Sequence, residues 1–290
     1  MRKCSSVFSR LTKKYSYIEF VEFLDSLRIQ GKWYSMFNAA LISIQKPGAG
    51  LIFTETVWNK HGMLVKENAT PIVIMQPFGP VNFVYEQSDV MSDGSEQGEN
   101  YIKKIQAEII EENTKKNKIT EDDYIMLKLI ANKFGAKVEE KSEFGQNLKG
   151  KIYVEAANHT IKYYKETIRT PFVIQINSKL GPEEKTKTLL HELGHFLCAH
   201  HTDAVKGREL DKKIMLVERC DELYSLDNIK RRDVQEYEAE TVCKMVCDKY
   251  NFFFLDDYLC KYQKNLGEIS MDYILNATDM ITKEWDKMLS

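Results

Sequence analysis

The run Leu189-Leu190-His191-Glu192-Leu193-Gly194-His195-Phe196-Leu197 spaces two histidines four apart, with a glutamate directly after the first. On a helix, residues four apart stack one turn above each other, so both imidazoles can reach one metal ion. Glu192 then points at the water on that ion rather than at the ion itself. The triplet suits metal-assisted hydrolysis: zinc lowers the pKa of its water towards neutrality, and a carboxylate takes the proton as the water attacks a carbonyl. Leu189, Leu190, Leu193, Phe196 and Leu197 predict a buried helix, and Pro182 with Glu183-Glu184 suits its first turn. The alternative is a chance match, or histidines merely satisfied in a core. Two histidines and a glutamate at this spacing, on a helix of this character, argue against it.

Zinc usually takes a third protein ligand and keeps a fourth position for water. His201 lies ten residues after His191, where the pattern H-E-x-x-H-x-x-G-x-x-H places a third histidine. That pattern turns at a glycine, and here the position is Cys198. The other source is Glu236-Tyr237-Glu238-Ala239-Glu240, expected to open a helix. Glu236 aligns with Glu240, Lys244 and Asp248 as a solvated face, whereas Glu238 heads an apolar stripe with Val242, Met245 and Val246. A carboxylate on a buried stripe must be paired or metal-bound. The expected ligands are therefore His191, His195 and Glu238, with Glu192 as the catalytic base. The expected cofactor is Zn2+, with Mn2+ or another divalent ion also compatible.

Composition sets the frame around this motif. The chain has 290 residues, 43% hydrophobic and 11% aromatic, with a net charge of −2, so it is long enough for two modest domains. Nothing global points to nucleic acid, but the charge is uneven. Through residue 66, Arg2, Lys3, Arg10, Lys13, Lys14, Arg28, Lys32, Lys46, Lys60 and Lys66 face only Glu19, Glu22, Asp25 and Glu55. A basic opening segment before an acidic remainder marks an anionic partner. Charged residues interrupt every apolar run, so no signal peptide or membrane span is expected. Cys4, Cys198, Cys220, Cys243, Cys247 and Cys260 form no C-x-x-C pair, which suits reduced thiols in a cytoplasmic protein.

Periodicity predicts helices over 12–30 and again through Trp33–Ile44, then strands at Leu51–Phe53, Pro71–Met75 and Val81–Tyr85, the last two joined by a turn at 77–80. From Ser88 to Lys118 the chain is polar and Ser92–Asn100 lacks an apolar period, so a linker is expected at 89–118, with a short charged helix over 101–112. Thr120 with Asp123 forms a capping signature before the stripe Tyr124, Leu127, Ile130 and Phe134, which Gly135 ends. Short strands are expected at 137–144, 151–155, 161–165 and 171–176. The expected fold is α+β with two domains: residues 1–88, the linker 89–118, and residues 119–290. The second would be zincin-like, with a small sheet packed on the histidine helix and a helical C-terminal part.

His191-Glu192-Leu193-Gly194-His195 with the later Glu238-Ala239-Glu240 resembles the ImmA/IrrE-type metallopeptidases. The whole chain resembles the ArdC-type antirestriction proteins more closely. Tyr34-Ser35-Met36-Phe37-Asn38 through Leu41-Ile42, Gln45-Lys46-Pro47, Trp58 and Gly62 is similar to that family's N-terminal single-stranded-DNA-binding domain. Asp257-Tyr258-Leu259 and 274–281 resemble the helices that close its peptidase domain. The chain departs from the family at Met63, where arginine is usual, and at Lys66-Glu67-Asn68, where Lys-Gly-Glu is usual. The resemblance implies a DNA-binding first domain and a metal-dependent second one. Basic and aromatic residues together suit single strands, and the candidates are Lys32, Trp33, Tyr34, Asn38, Gln45, Lys46, Trp58 and Lys60. The expectation is a zinc-dependent metallopeptidase fused to a single-stranded-DNA-binding domain, acting on a protein or peptide substrate and serving antirestriction or a mobile element. The alternative is a non-proteolytic, DNA-protecting protein whose metal site is structural or vestigial.

Overall fold

A computed structural model describes residues 16–76, 79, 81–114, 116–144, 148–216, 219, 222–254 and 263–290. The turn expected at 77–80 lies largely outside them, as does Asp257-Tyr258-Leu259. The fold is α+β, and its contacts divide it into two units, Ile18–Asn117 and Lys118–Ser290, the latter joined by the described residues up to Tyr17.

In the first unit, helices α1 (Tyr17–Gln30) and α2 (Met36–Gln45) precede strand β1 (Ile52–Phe53). A short helix α3 (Glu55–Lys60) and strands β2 (Met63–Val65), β3 (Ile72–Ile74), β4 (Asn82–Glu86) and β5 (Val90–Ser92) follow. They form an antiparallel sheet of order β1-β4-β3 and a separate antiparallel pair, β2 with β5. Helix α2 buries Met36, Ala39, Ala40, Ile42 and Ser43, whereas Phe37, Leu41 and Ile44 are only half-buried. Ile42, Ala49, Ile52, Ile72, Ile74 and Val84 make one core cluster.

The expected linker is not one. Strand β5 pairs with β2, and helix α4 (Glu96–Thr114) lays Tyr101, Ile102 and Ile105 against Leu51, Trp58, Met63 and Val90. Three apolar residues at helical spacing anchor this helix, too few to stand out from the surrounding charge. Gly98, read as a linker glycine, is instead a close contact: a Cβ there would lie 2.2 Å from the Gly62 carbonyl oxygen.

The second unit opens with helix α5 (Glu121–Phe134). Its Thr120–Asp123 capping box and left-handed Gly135 are as the sequence reads. Strands β6 (Lys137–Lys141), β7 (Gly150–Tyr163) and β8 (Glu166–Asn177) form a sheet of order β6-β8-β7, with β6 parallel and β7 antiparallel to the central strand. The two strands expected at 151–155 and 161–165 belong to one long strand, β7. Its register with β8 breaks between the pairs Val154↔Phe172 and His159↔Thr170, leaving 155–158 opposite Pro171 alone. Proline has no N–H to give the ladder, which is why the irregularity falls there.

Helix α6 (Pro182–Leu197) carries the histidine motif. It buries Leu189, Leu190, Leu193, Phe196 and Leu197, and the Phe196 ring meets Phe172 of β8 edge-on at 5.0 Å. Helices α7 (Asn228–Lys249) and α8 (Met271–Leu289) complete the helical C-terminal part. Among the described residues, no helix is long and apolar enough to cross a membrane.

Helices α6 and α7 meet backbone to backbone at Gly194. A Cβ built there would sit 2.9 Å from both the Cα and the carbonyl oxygen of Ala239, so any side chain would push the helices apart. Gly194→Ala gains about 1 kcal/mol of helix propensity, but overpacking against backbone costs about 1–3 kcal/mol. We expect a net loss of up to about 2 kcal/mol in urea denaturation. A gain of about 1 kcal/mol, the helix-propensity effect alone, would contradict the close approach.

Candidate metal centre

The four-residue spacing on α6 places His191 and His195 one turn apart, their Nε2 atoms 3.1 Å from each other. The third group on this point is Glu236 of α7. Its Oε2 lies 3.3 Å from His191 Nε2 and its Oε1 lies 3.8 Å from His195 Nε2. Two imidazoles and one carboxylate converging at such distances fit a tetrahedral ion bound at about 2.0–2.2 Å, whose donors stand roughly 3.4 Å apart. All three side chains are partly exposed, so the point opens on one side. A water or substrate needs such an opening.

Helix α7 clamps His191 from both sides. Glu236 faces Nε2, and Glu240, one turn on, accepts a hydrogen bond from Nδ1 at 2.8 Å. That bond fixes the Nδ1–H tautomer and turns the Nε2 lone pair towards the convergence. Burial pulls the His191 imidazolium pKa down, but hydrogen bonds to Glu236 and Glu240 and the nearby Glu192 charge outweigh it, carrying the pKa up to about 10. A proton thus occupies the site when no metal does, and metal uptake must displace it. His195 is the opposite case. Burial, then the His191 charge, holds it well below the usual histidine range, so it stays neutral with a lone pair to give.

Glu192 is buried beside these groups. Burial raises its pKa to about 7, with Glu236 adding to the rise and the His191 charge opposing it. A carboxyl balanced near neutrality can both take and return a proton.

The expected third ligand, Glu238, is elsewhere. It is fully buried as its stripe required, but its partner is a guanidinium. Arg219 donates through Nη1 to Oε2 at 2.5 Å and through Nη2 to Oε1 at 2.8 Å. His200 Nε2 is 2.7 Å from Oε2, and the Ser270 backbone N–H donates to Oε1 at 2.7 Å. Cys198, His200 and Glu238 also converge, all buried, but the carboxylate's charge and lone pairs are already taken. Two things misled the sequence reading. The helix begins at Asn228, not at Glu236, and is buried on nearly all sides, so its solvated face is not where Glu236 lies. The compensating charge comes from Arg219, in a segment with no periodicity to read. His201, the other ligand weighed, has its ring centroid 6.5 Å from that of His195 and stands outside the convergence.

Most of the expected DNA contacts are structural. Trp58 is fully buried, with its indole N–H on the Tyr85 carbonyl. Tyr34 packs on the core and donates its hydroxyl to the Ile52 carbonyl. Asn38 and Gln45 each exchange two hydrogen bonds with the backbone of β3 and its flank, at Met75 and Val73, so their amides act as an extra pairing partner for that edge. Lys46 is tied to Asp89 at 2.6 Å and to Glu86. Trp33 is half exposed, Lys60 is exposed and Lys32 is partly so, and these three reach solvent.

Residues 131–219 match the family model described as the IrrE N-terminal-like domain, Peptidase_M78. The match runs from the end of α5 to Arg219, covering His191, Glu192, His195 and His200 but stopping before the glutamates of α7. No curated protein and no solved structure matches the chain.

The glutamates of α7 can be told apart by substitution. Glu236→Gln should lose bound Zn2+ after dialysis, read by metal analysis, while far-ultraviolet circular dichroism stays that of the parent. Glu238→Gln should instead cost about 3–5 kcal/mol in denaturation, because it strips a buried guanidinium of its counter-charge. The reverse pattern would restore Glu238 as the ligand.

Proposed function

We propose that this chain is a zinc-dependent metallopeptidase of the ImmA/IrrE kind, fused to a single-stranded-DNA-binding module in the manner of the ArdC-type proteins and serving antirestriction or a mobile element. The observation that carries the peptidase reading is the convergence of His191, His195 and Glu236 beside a buried Glu192. The family match over residues 131–219 supports it.

His191, His195 and Glu236 would hold the ion, which when bound supplies a Lewis acid to water and to a peptide carbonyl. The rest falls to the chain's own groups. Glu240 keeps His191 in the ligating tautomer. Glu192, buried and with its pKa raised to about 7, takes the proton of the attacking water at its carboxylate and returns it to the leaving amine. Glu192→Gln should retain metal and lose peptide hydrolysis by about 100- to 10,000-fold, the usual worth of a general base. Full activity in that variant would remove the catalytic assignment. A wild-type protein that holds metal and cleaves nothing would favour the DNA-protecting alternative.

The DNA reading rests on the basic opening segment and on Trp33, half exposed and edge-on to Phe53 at 5.6 Å, with Lys32 beside it and Lys60 exposed in the same unit. A solvent-facing indole among lysines is a stacking platform for an unpaired base. Trp33→Ala should weaken binding of a labelled oligothymidylate by about 1–3 kcal/mol, and the parent's affinity should fall steeply as salt rises. Binding indifferent to both salt and Trp33 would eliminate this module.

A further inference from the structure

Behind the metal point, a chain of hydrogen bonds runs away from His195. Its Nδ1 lies 2.8 Å from His200 Nδ1, and His200 Nε2 lies 2.7 Å from Glu238 Oε2, which the Arg219 guanidinium grips. The polarity of this chain is forced from its far end. A carboxylate paired with a guanidinium only accepts, so His200 must donate from Nε2. A neutral His200 then offers a lone pair at Nδ1, and His195 must donate to it from Nδ1. His195 is left with its Nε2 lone pair, the one 3.1 Å from His191 Nε2.

The backbone builds this deliberately. Helix α6 ends in a Schellman turn: Ala199 N–H donates to the Phe196 carbonyl and His200 N–H to the His195 carbonyl. Ala199 takes the left-handed conformation, φ 58°, where glycine is the usual residue. The turn is pinned from outside by Arg219 Nη1 on the Cys198 carbonyl and the Tyr224 hydroxyl on the Ala199 carbonyl. Gln235 donates to the His200 carbonyl, so every polar atom of His200 has a partner.

We infer that His200 is a positioning residue for the metal, with Glu238 and Arg219 behind it: the chain Arg219–Glu238–His200 sets the tautomer and angle of His195 so that Nε2 faces the ion. This rests on the metal reading given above. It also gives the three glutamates of α7 separate tasks, Glu236 at the ion, Glu240 behind His191 and Glu238 behind His195.

The test uses the full-length protein with Zn2+ in competition against a chromophoric chelator, and ring 15N spectra of the histidines. His191→Ala should abolish binding, and a parent protein that binds no Zn2+ would sink the metal reading itself. With that reading intact, His200→Leu should weaken Zn2+ binding about 10- to 100-fold, the range for loss of a group that orients a ligand. His200→Gln should restore most of it, since an amide accepts at its oxygen and donates at its nitrogen as His200 does. Wild-type affinity in His200→Leu, or no difference between the Leu and Gln variants, would overturn the inference while leaving the metal site standing. Should His200→Leu fail to fold, the metal-free parent decides alone. Its His195 must carry the proton on Nδ1, and a proton found on Nε2 refutes the chain.

Discussion

The close contact of Gly194 with Ala239 is the constraint on which the second unit depends. Helices α6 and α7 approach until a single Cβ would strike backbone, and no other residue at 194 permits that distance. The approach brings carboxylates on one helix within reach of imidazoles on the other. The same glycine sits between the two histidines in sequence, so the motif carries both the imidazoles and the notch that admits the carboxylate beside them.

Helical geometry then divides the work of the three glutamates. Glu236 and Glu240 are four apart and share a face, so they bracket one imidazole, His191, at its two nitrogens. Glu238 lies two residues from each and projects from the far side of the helix. It cannot join them beside the His191 imidazole. It meets Arg219 and His200 instead, and buries its charge against a guanidinium. The more buried of these glutamates pairs with a guanidinium, and the partly exposed Glu236 faces the two imidazoles.

The first unit is held by polar side chains doing backbone work. Asn38 and Gln45 pair with β3 as a neighbouring strand would, and Lys46 closes onto Asp89 and Glu86. What these residues secure is the fold. Trp33 stays half exposed, with Lys32 next to it in sequence.

The sequence by itself determined the histidine helix, its buried leucines, the Thr120–Asp123 cap, the central strand and the place of Glu192 between the two histidines. Each is a local pattern: a period, a cap or a four-residue spacing. Tertiary structure decided what local pattern cannot hold. It packed the charged helix after Ser92 onto the first unit through three apolar residues, merged two short strands into one across from Pro171, and brought Glu236 rather than Glu238 to the two imidazoles. A side chain's face is written in its own helix, but its partner arrives from another part of the chain. Arg219 and the Ala199 turn, which settle where Glu238 and His200 point, leave no periodic trace in the sequence.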